Sequence, residues 1–254
     1  GVTSDELEAQ VDEGEAFIEG PPSYVPGYKP GETPTDPLAA VELDSEEALT
    51  TPPFSGPSFS TDYINYAPYQ RWSWFGKYLT YPISTIGKLF FSIPGQGNFV
   101  CSASVIGTHV VATAGHCVSN GRGVFANNFL FCPSYNRQGS GVNPSRGCWG
   151  YRNAWTTTAW HNSSNFDRDY ACIVTSTFNS TTGRPVGAVT GTLGRAWNWP
   201  TRQMMFSYGY PQGSPFAGNG IHTCASTEWY ERDTFFGDGQ VSKYIGCDMT
   251  GGSS

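Results

Sequence analysis

This sequence of 254 residues is poor in charge, since Asp, Glu, Lys and Arg together make up only 14% of it. It has no apolar run of the roughly 18 residues that a membrane-spanning helix requires, so we expect a soluble protein that does not bind membranes. It also lacks the clustered lysines and arginines that a nucleic-acid-binding face would need. No internal repeat and no convincing helical segment is found in the body of the chain, which argues against a helical bundle.

The spacing of the cysteines does not indicate a metal site. None of their intervals forms a paired C-x-x-C with histidines at zinc-finger spacing, so we expect no metal and no cofactor. Disulfide bonds are the better interpretation in a chain without cytosolic character, and the odd number leaves one thiol over. The connectivity is not fixed by the sequence. The seven cysteines lie at positions 101, 117, 132, 148, 172, 224 and 247.

Glycine, proline and aromatic residues are abundant. The chain holds 31 Gly and 18 Pro, which indicate many turns, and 8 Trp, 14 Tyr and 16 Phe, which bring the aromatic fraction to 15%. This balance is typical of extracellular β-rich domains. The length allows one large domain or two small ones with a packed core. The chain starts at Gly1 without an initiator methionine or a hydrophobic leader, so we expect a processed chain.

Charge is distributed unevenly along the chain. Residues 1–50 hold 13 Asp and Glu against the single Lys29, which gives a net charge of -12. Residues 51–254 hold 8 acids against 13 bases, which gives +5. An acidic arm joined to a mildly basic body suggests that the two attract each other.

The acidic part is also interrupted repeatedly by proline. Residues 1–65 are therefore predicted to form an acidic, Pro-rich prosegment or linker that is largely extended or disordered. Acid-rich helical patterning at 4–17 and 39–49 predicts two short surface helices within it. Residues 66–254 form the predicted folded domain.

Short apolar runs separated by turns characterise the body of the chain. Two of these runs flank the segment 94–98, whose Pro, Gly and Asn residues favour a tight turn, and this predicts a hairpin. The overall pattern indicates an all-β fold built from barrels. Strands are expected at 87–93, 99–106, 110–113, 171–174, 204–208 and 241–245.

The run Thr-Ala-Gly-His-Cys at 113–117 is the most informative motif. It follows an apolar strand and places His116 beside a cysteine 16 residues after Cys101. Here the chain resembles the trypsin-like serine endopeptidases, and the resemblance extends from about residue 66 to 254. It implies that Cys101 and Cys117 form a disulfide and that His116 is the general base. A cross-link next to the base would limit its orientational freedom. A purely structural histidine is the alternative.

A base of this kind needs an acid to orient it. Asp169 precedes Tyr170 and Ala171 and then an aliphatic run, which is similar to the family's pattern around its acid. The resemblance implies that Asp169 accepts a hydrogen bond from the His116 imidazole and stabilises the imidazolium. Asp167 is the lesser candidate by register, and a solvated turn carboxylate is the alternative.

The nucleophile is expected in the last residues of the chain. The run Thr-Gly-Gly-Ser-Ser at 250–254 resembles the Thr-Gly-Gly-x-Ser turn of the glutamyl-endopeptidase-like branch of the family. The resemblance implies that Ser254 is the nucleophile and that the N–H groups of Gly252 and Ser254 form the oxyanion hole. Ser253 is the lesser alternative, and a flexible tail has the same composition. The run Tyr-Gly-Tyr-Pro at 208–211 is similar to a turn of the same branch.

The resemblance implies two antiparallel six-stranded β-barrels. The first is expected at about 80–178 and the second at about 185–254. The family fold has further strands after the nucleophile, so the second barrel is predicted to be incomplete in this chain. We therefore expect a fragment that is inactive on its own and whose substrate residue preference the sequence does not give.

The remaining cysteines suggest two more cross-links. Cys132 with Cys148 would close a polar loop, and Cys224 with Cys247 would tether the segment leading to the predicted nucleophile. Cys172 lies on an apolar strand and is expected to be a buried, inert thiol.

These observations lead to one hypothesis and two rivals. We expect a secreted serine endopeptidase, made as a zymogen and monomeric at full length, that cleaves protein or peptide substrates without a cofactor. The first rival is a catalytically inactive homologue that acts as a binding module. The second is a structural or carbohydrate-binding β protein, suggested by the Trp and Gly content.

Overall fold

Most of the described structure is β-sheet. The computed structural model describes residues 9–12, 23–32, 41–42, 70–73, 76–138, 141–143, 146–197, 204–226, 229–233, 241–245, 247 and 249–253. The strands of the first half are β1 (Ala9–Asp12), β2 (Ser23–Val25), β3 (Val41–Glu42), β4 (Gln70–Ser73), β5 (Ile86–Ile93), β6 (Gly97–Val105), β7 (Val110–Thr113) and β8 (Asn127–Pro133). Those of the second half are β9 (Asn136–Gln138), β10 (Gly141–Asn143), β11 (Trp149–Thr157), β12 (Ala171–Thr175), β13 (Arg195–Trp197), β14 (Met205–Gly209), β15 (His222–Ser226), β16 (Trp229–Asp233) and β17 (Val241–Ile245).

Helical segments are short. The described α-helices are α1 (Thr158–Ser163) and α2 (Val186–Thr190), and three-residue 3-10 turns occur at Ile83–Thr85, Gly115–Cys117 and Phe166–Arg168. Within the described part of the chain, no helix has the length and apolarity needed to cross a membrane. The predicted all-β class is therefore confirmed.

Six strands form a closed antiparallel barrel in the order β5, β6, β7, β12, β11, β8. The predicted hairpin is its first pair, with Leu89 opposite Cys101. The barrel closes where β8 also pairs with β11, with Trp149 opposite Phe131. Alternate residues of these strands point inward and exclude water from one apolar core. Its fully buried side chains include Leu89, Val105, Val111, Phe131, Trp149 and Ile173.

The strands that follow do not close into a second barrel among the described residues. β14, β15 and β4 form one sheet, and β16 and β17 form a separate hairpin. A second apolar cluster joins this part to the first barrel through Ile86, Tyr210 and Ile221. The second barrel is thus incomplete, as predicted.

Parts of the acidic arm are strands, and this corrects the two helices predicted there. Residues 9–12 form β1, which runs parallel to β11, and residues 41–42 form β3, which pairs with β2. Local acid-rich patterning favours helix, but pairing with the unfilled edge of another strand overrides so weak a preference. The rest of 4–17 and 39–49 lies outside the described residues.

Candidate active site

His116 and Asp169 lie in direct contact at one end of the closed barrel. The Nδ1 atom of His116 is 2.7 Å from Oδ2 of Asp169, and the backbone N–H of His116 donates to Oδ1 at 2.6 Å. The imidazole is partly exposed, whereas the carboxylate is mostly buried. With Nδ1 engaged by the carboxylate, Nε2 is the ring nitrogen left to exchange a proton with a substrate or a nucleophile.

The loop that carries His116 is fixed from two sides. A disulfide joins Cys101 on β6 to Cys117, the residue after the histidine. Gly115 precedes the histidine, and a Cβ atom at this position would lie 2.9 Å from the Trp160 ring and 2.8 Å from Oγ1 of Thr156. Only glycine therefore lets the backbone pass so close to β11 and α1.

The loop that carries Asp169 is held by threonines of β11. Oγ1 of Thr156 donates to the Tyr170 carbonyl at 3.1 Å, and Oγ1 of Thr157 donates to the Arg168 carbonyl at 2.7 Å. These bonds fix the backbone on both sides of the aspartate. The structure therefore brings Asp169 to His116. The backbone N–H of Asp167 donates to Asn165 in the preceding turn instead.

Ser254, the predicted nucleophile, lies outside the described residues. Its neighbours form a turn in which the Ser253 N–H donates to the Thr250 carbonyl at 3.3 Å. The Ser253 hydroxyl donates to the same carbonyl at 2.6 Å, so it takes part in the turn itself. Gly252 has a φ of 96°, a left-handed conformation that side chains other than glycine rarely adopt.

The Gly-Tyr-Pro turn at 209–211 packs against this serine turn. A Cβ atom on Gly209 would come within 2.7 Å of the Ser253 backbone, so the two chains approach as closely as a glycine allows. The Gln212 N–H donates to the Gly251 carbonyl at 2.9 Å, and Oγ1 of Thr250 accepts from the Gly213 N–H at 2.8 Å. The turn is therefore positioned by contacts distant in sequence.

Ser102 links the barrel to the serine turn, and the sequence analysis missed it. Its hydroxyl donates to the Gly252 carbonyl at 2.7 Å and accepts from the Tyr210 N–H at 2.8 Å. Ser102 itself is buried on β6 next to Cys101. No motif marks this residue, because its partners lie 108 and 150 positions further along the chain.

Phe166 is a second feature that the motif analysis missed. Its side chain is 66% exposed, although it lies three residues before Asp169. The ring packs edge-on against Trp160 at 5.3 Å, and Trp160 packs edge-on against His116 at 6.1 Å. A series of ring contacts therefore runs from the histidine through the buried Trp160 to the exposed Phe166.

The three disulfides proposed from the sequence are present. They join Cys101 to Cys117, Cys132 to Cys148 and Cys224 to Cys247. Sulfur atoms of the first pair lie near the His116 ring nitrogens, but a disulfide sulfur is not the thiolate that binds metal ions. The free thiol is Cys172, which is half-buried, and burial raises its pKa.

Comparison with solved structures places these features among proteases. The chain is similar to a thermostable serine protease, AL20, from an extremophilic microorganism, with 37% identity and a TM-score of 0.57 over 67% of this chain and 76% of that one. It is also similar to the protease Anisep from Arthrobacter nicotinovorans, with 32% identity and a TM-score of 0.58 over 67% and 74% of the two chains. No protein-family model and no curated protein matches the sequence.

Proposed function

Because this chain belongs to the trypsin-like serine proteases, we propose that it is a secreted serine endopeptidase whose triad is Ser254, His116 and Asp169. The observation that carries the proposal is the contact between His116 and Asp169, in which both carboxylate oxygens bond to the same histidine residue. This contact supports His116 as the general base and Asp169 as the acid that orients it, and a disulfide fixes the loop that carries the histidine.

The proposed reaction is acyl transfer to the enzyme and then to water. The Ser254 hydroxyl attacks the peptide carbonyl while Nε2 of His116 takes the hydroxyl proton. The tetrahedral intermediate collapses, the C–N bond breaks, and His116 gives the proton to the leaving amine. Water then hydrolyses the acyl-enzyme with His116 again acting as base. Asp169 holds the imidazole tautomer and stabilises the imidazolium in both steps.

The oxyanion formed in these steps needs fixed hydrogen-bond donors. The N–H groups of Gly252 and Ser254 are proposed for this role. The positive φ of Gly252 supports it, and so does the Gly252 carbonyl, which accepts from the Ser102 hydroxyl at 2.7 Å and so ties the turn to the first barrel. A turn that is anchored in this way presents its donors without reorganisation when charge develops.

Residues 1–65 are proposed to be the prosegment of a zymogen. Part of this region, residues 23–32, docks on the segment 191–197 that follows the first barrel. Tyr28 and Thr192 exchange two backbone hydrogen bonds of 2.8 and 3.2 Å, and the Tyr28 hydroxyl contacts Oγ1 of Thr108 at 3.1 Å. A specific contact of this kind favours a prosegment that stabilises the folded body over a simple linker.

Secretion is supported by the disulfides. Three cross-links in one domain persist in an oxidising compartment and are rare in the cytosol. The proposed substrates are proteins or peptides, as for the related proteases.

Labelling of the full-length enzyme with a fluorophosphonate, combined with hydrolysis of casein, tests the assignment of the nucleophile. We expect Ser254→Ala to lose labelling and to lower kcat by at least about 10⁴-fold. Ser253→Ala is the matched control and should keep both within about tenfold, since the turn has other hydrogen bonds. Loss of labelling in Ser253→Ala alone would move the nucleophile to that residue. A full-length wild-type protein that neither labels nor hydrolyses casein would favour the inactive binding module.

A further inference from the structure

A polar cavity of about 220 Å³ lies on the side of the molecule where β5, β9 and the loop after the Gly-Tyr-Pro turn meet. Its wall includes Lys88 of β5, Arg137 of β9, and Gln212 and Asn219 of the loop. Each of these side chains carries N–H donors, and none of the described residues in the wall is acidic. The volume holds a carboxylate together with several water molecules, each of which occupies about 30 Å³.

Lys88 is an unusual residue to find in the wall of this cavity because only 4% of it is exposed. Its ammonium donates to the Gly218 carbonyl at 2.7 Å and lies 5.2 Å from the centre of the Tyr135 ring. The carbonyl and the ring satisfy part of the charge. A buried ammonium nevertheless has a large desolvation cost unless a counter-charge is near.

A charged group of the same sign acts on Lys88. Arg137 lines the cavity beside Lys88, and burial together with Arg137 lowers the pKa of Lys88 to about 8. Among the described residues, the ion pair that the structure shows joins His116 to Asp169, and no described carboxylate pairs with Lys88 or Arg137. Two cations therefore face one cavity without an anionic partner from the described residues.

The cavity is also fixed in shape and joined to the proposed catalytic turn. The backbone N–H of Arg137 donates to the Asn219 carbonyl at 2.8 Å, and this bond ties β9 to the loop. Gln212 also lines the cavity, and its backbone N–H donates to the Gly251 carbonyl at 2.9 Å. An anion bound here would contact the loop that holds the serine turn.

We propose that this cavity is an anion-binding site that takes a carboxylate side chain between Lys88 and Arg137. The carboxylate comes either from an acidic residue of a protein substrate or from the acidic segment 1–50 of the chain itself. The substrate source rests on the proposed function. The existence of the site does not rest on it, and separate experiments test the site and the source of its carboxylate.

Binding is tested first without any catalysis, with sulfate as the probe at constant ionic strength and with chloride as the reference salt. We expect sulfate to bind at low-millimolar concentrations. At a sulfate concentration ten times its Kd, Tm of the wild type should rise by about 3–5 °C. Arg137→Gln should lose this shift, while Arg152→Gln, which removes an exposed arginine elsewhere, should keep it. Lys88→Met should lose the shift as well. If this buried substitution unfolds the protein, Arg137→Gln still tests the site, because Arg137 is exposed.

The shift should also depend on pH, because the anion requires the protonated ammonium. Among the described residues, the groups that face Lys88 are the Arg137 guanidinium and the Tyr135 phenol. Sulfate stabilisation is therefore expected below about pH 8 and should fade as Lys88 loses its proton. An equal sulfate shift in wild type and Arg137→Gln, or no shift in either, would overturn the site.

The source of the carboxylate is then distinguished by two further measurements. If substrates supply it, matched peptides with Glu or Gln should differ about tenfold in KM for the wild type and not for Arg137→Gln. If the acidic segment supplies it, replacing the acids of residues 1–50 by amides should instead increase the Tm shift that sulfate causes. The Glu and Gln peptides should then have the same KM. Inactivity of the protein would remove only the comparison of peptides, and the sulfate measurements would still test the site.

Discussion

Asp169 bonds to His116 through both carboxylate oxygens, one to the ring and one to the backbone N–H. We predict that Asp169→Asn lowers kcat by about 10⁴-fold, the size of loss that this replacement causes in another Ser-His-Asp protease. An amide cannot accept at both of its polar atoms, so the imidazole would lose its tautomer. Casein hydrolysis and Tm should be measured together, because the prediction requires lost activity in a protein that remains folded.

Asp167→Asn is the matched control, since both carboxylate oxygens that bond to His116 belong to Asp169. Its activity should stay within about twofold of the wild type. A loss of activity in Asp167→Asn comparable to that of Asp169→Asn would contradict the assignment of the acid.

Residues that a local motif marks could be predicted from the sequence. Residues whose role depends on contacts distant along the chain could not. His116 and its cysteine lie in one five-residue run, so a motif identifies them. Ser102 has the same chemistry as many other serines in the chain, and its importance comes from Gly252 and Tyr210, which only the folded chain brings near it.

The strand β2 and the turn after it form an element that close backbone contact holds in place. A Cβ atom on Gly27 would overlap the Thr192 carbonyl oxygen, and one on Gly194 would lie 2.8 Å from the Val25 carbonyl. We predict that Gly27→Ala separates the arm from the segment 191–197 and costs about 1–3 kcal/mol of stability. Hydrogen exchange should show faster exchange of the Thr192 N–H, which donates to the Tyr28 carbonyl.

Gly76→Ala is the control for this substitution, because no atom lies within 4 Å of the Cβ that it would add. Its exchange pattern should match that of the wild type. If Gly27→Ala leaves both Tm and the Thr192 exchange rate unchanged, the docking of the arm is not a specific contact.

Barrel strands were easier to predict than arm strands, for a physical reason. The runs at 87–93 and 171–174 are apolar and short, so their own composition favours the buried strands β5 and β12 that they form. Residues 9–12 carry no such signal, and they become a strand because β11 offers them backbone partners from Ala154 to Thr157. Pairing of this kind depends on the tertiary structure and is absent from local sequence.

At the scale of the whole molecule, the arm and the body differ in charge. Residues 1–50 carry -12 and residues 51–254 carry +5, while the docked segment 23–32 joins them through a few backbone bonds. We predict that the docking weakens with salt, because the Debye length falls from about 30 Å at 0.01 M to about 3 Å at 1 M. The exchange rate of the Thr192 N–H should therefore rise with NaCl, whereas amides of the closed barrel should not respond.

A variant with the acids of residues 1–20 replaced by amides is the control. Its Thr192 N–H should already exchange fast at low salt and show little further change. Salt-independent exchange in the wild type would mean that the backbone contacts around Gly27 and Thr192 hold the arm without help from charge.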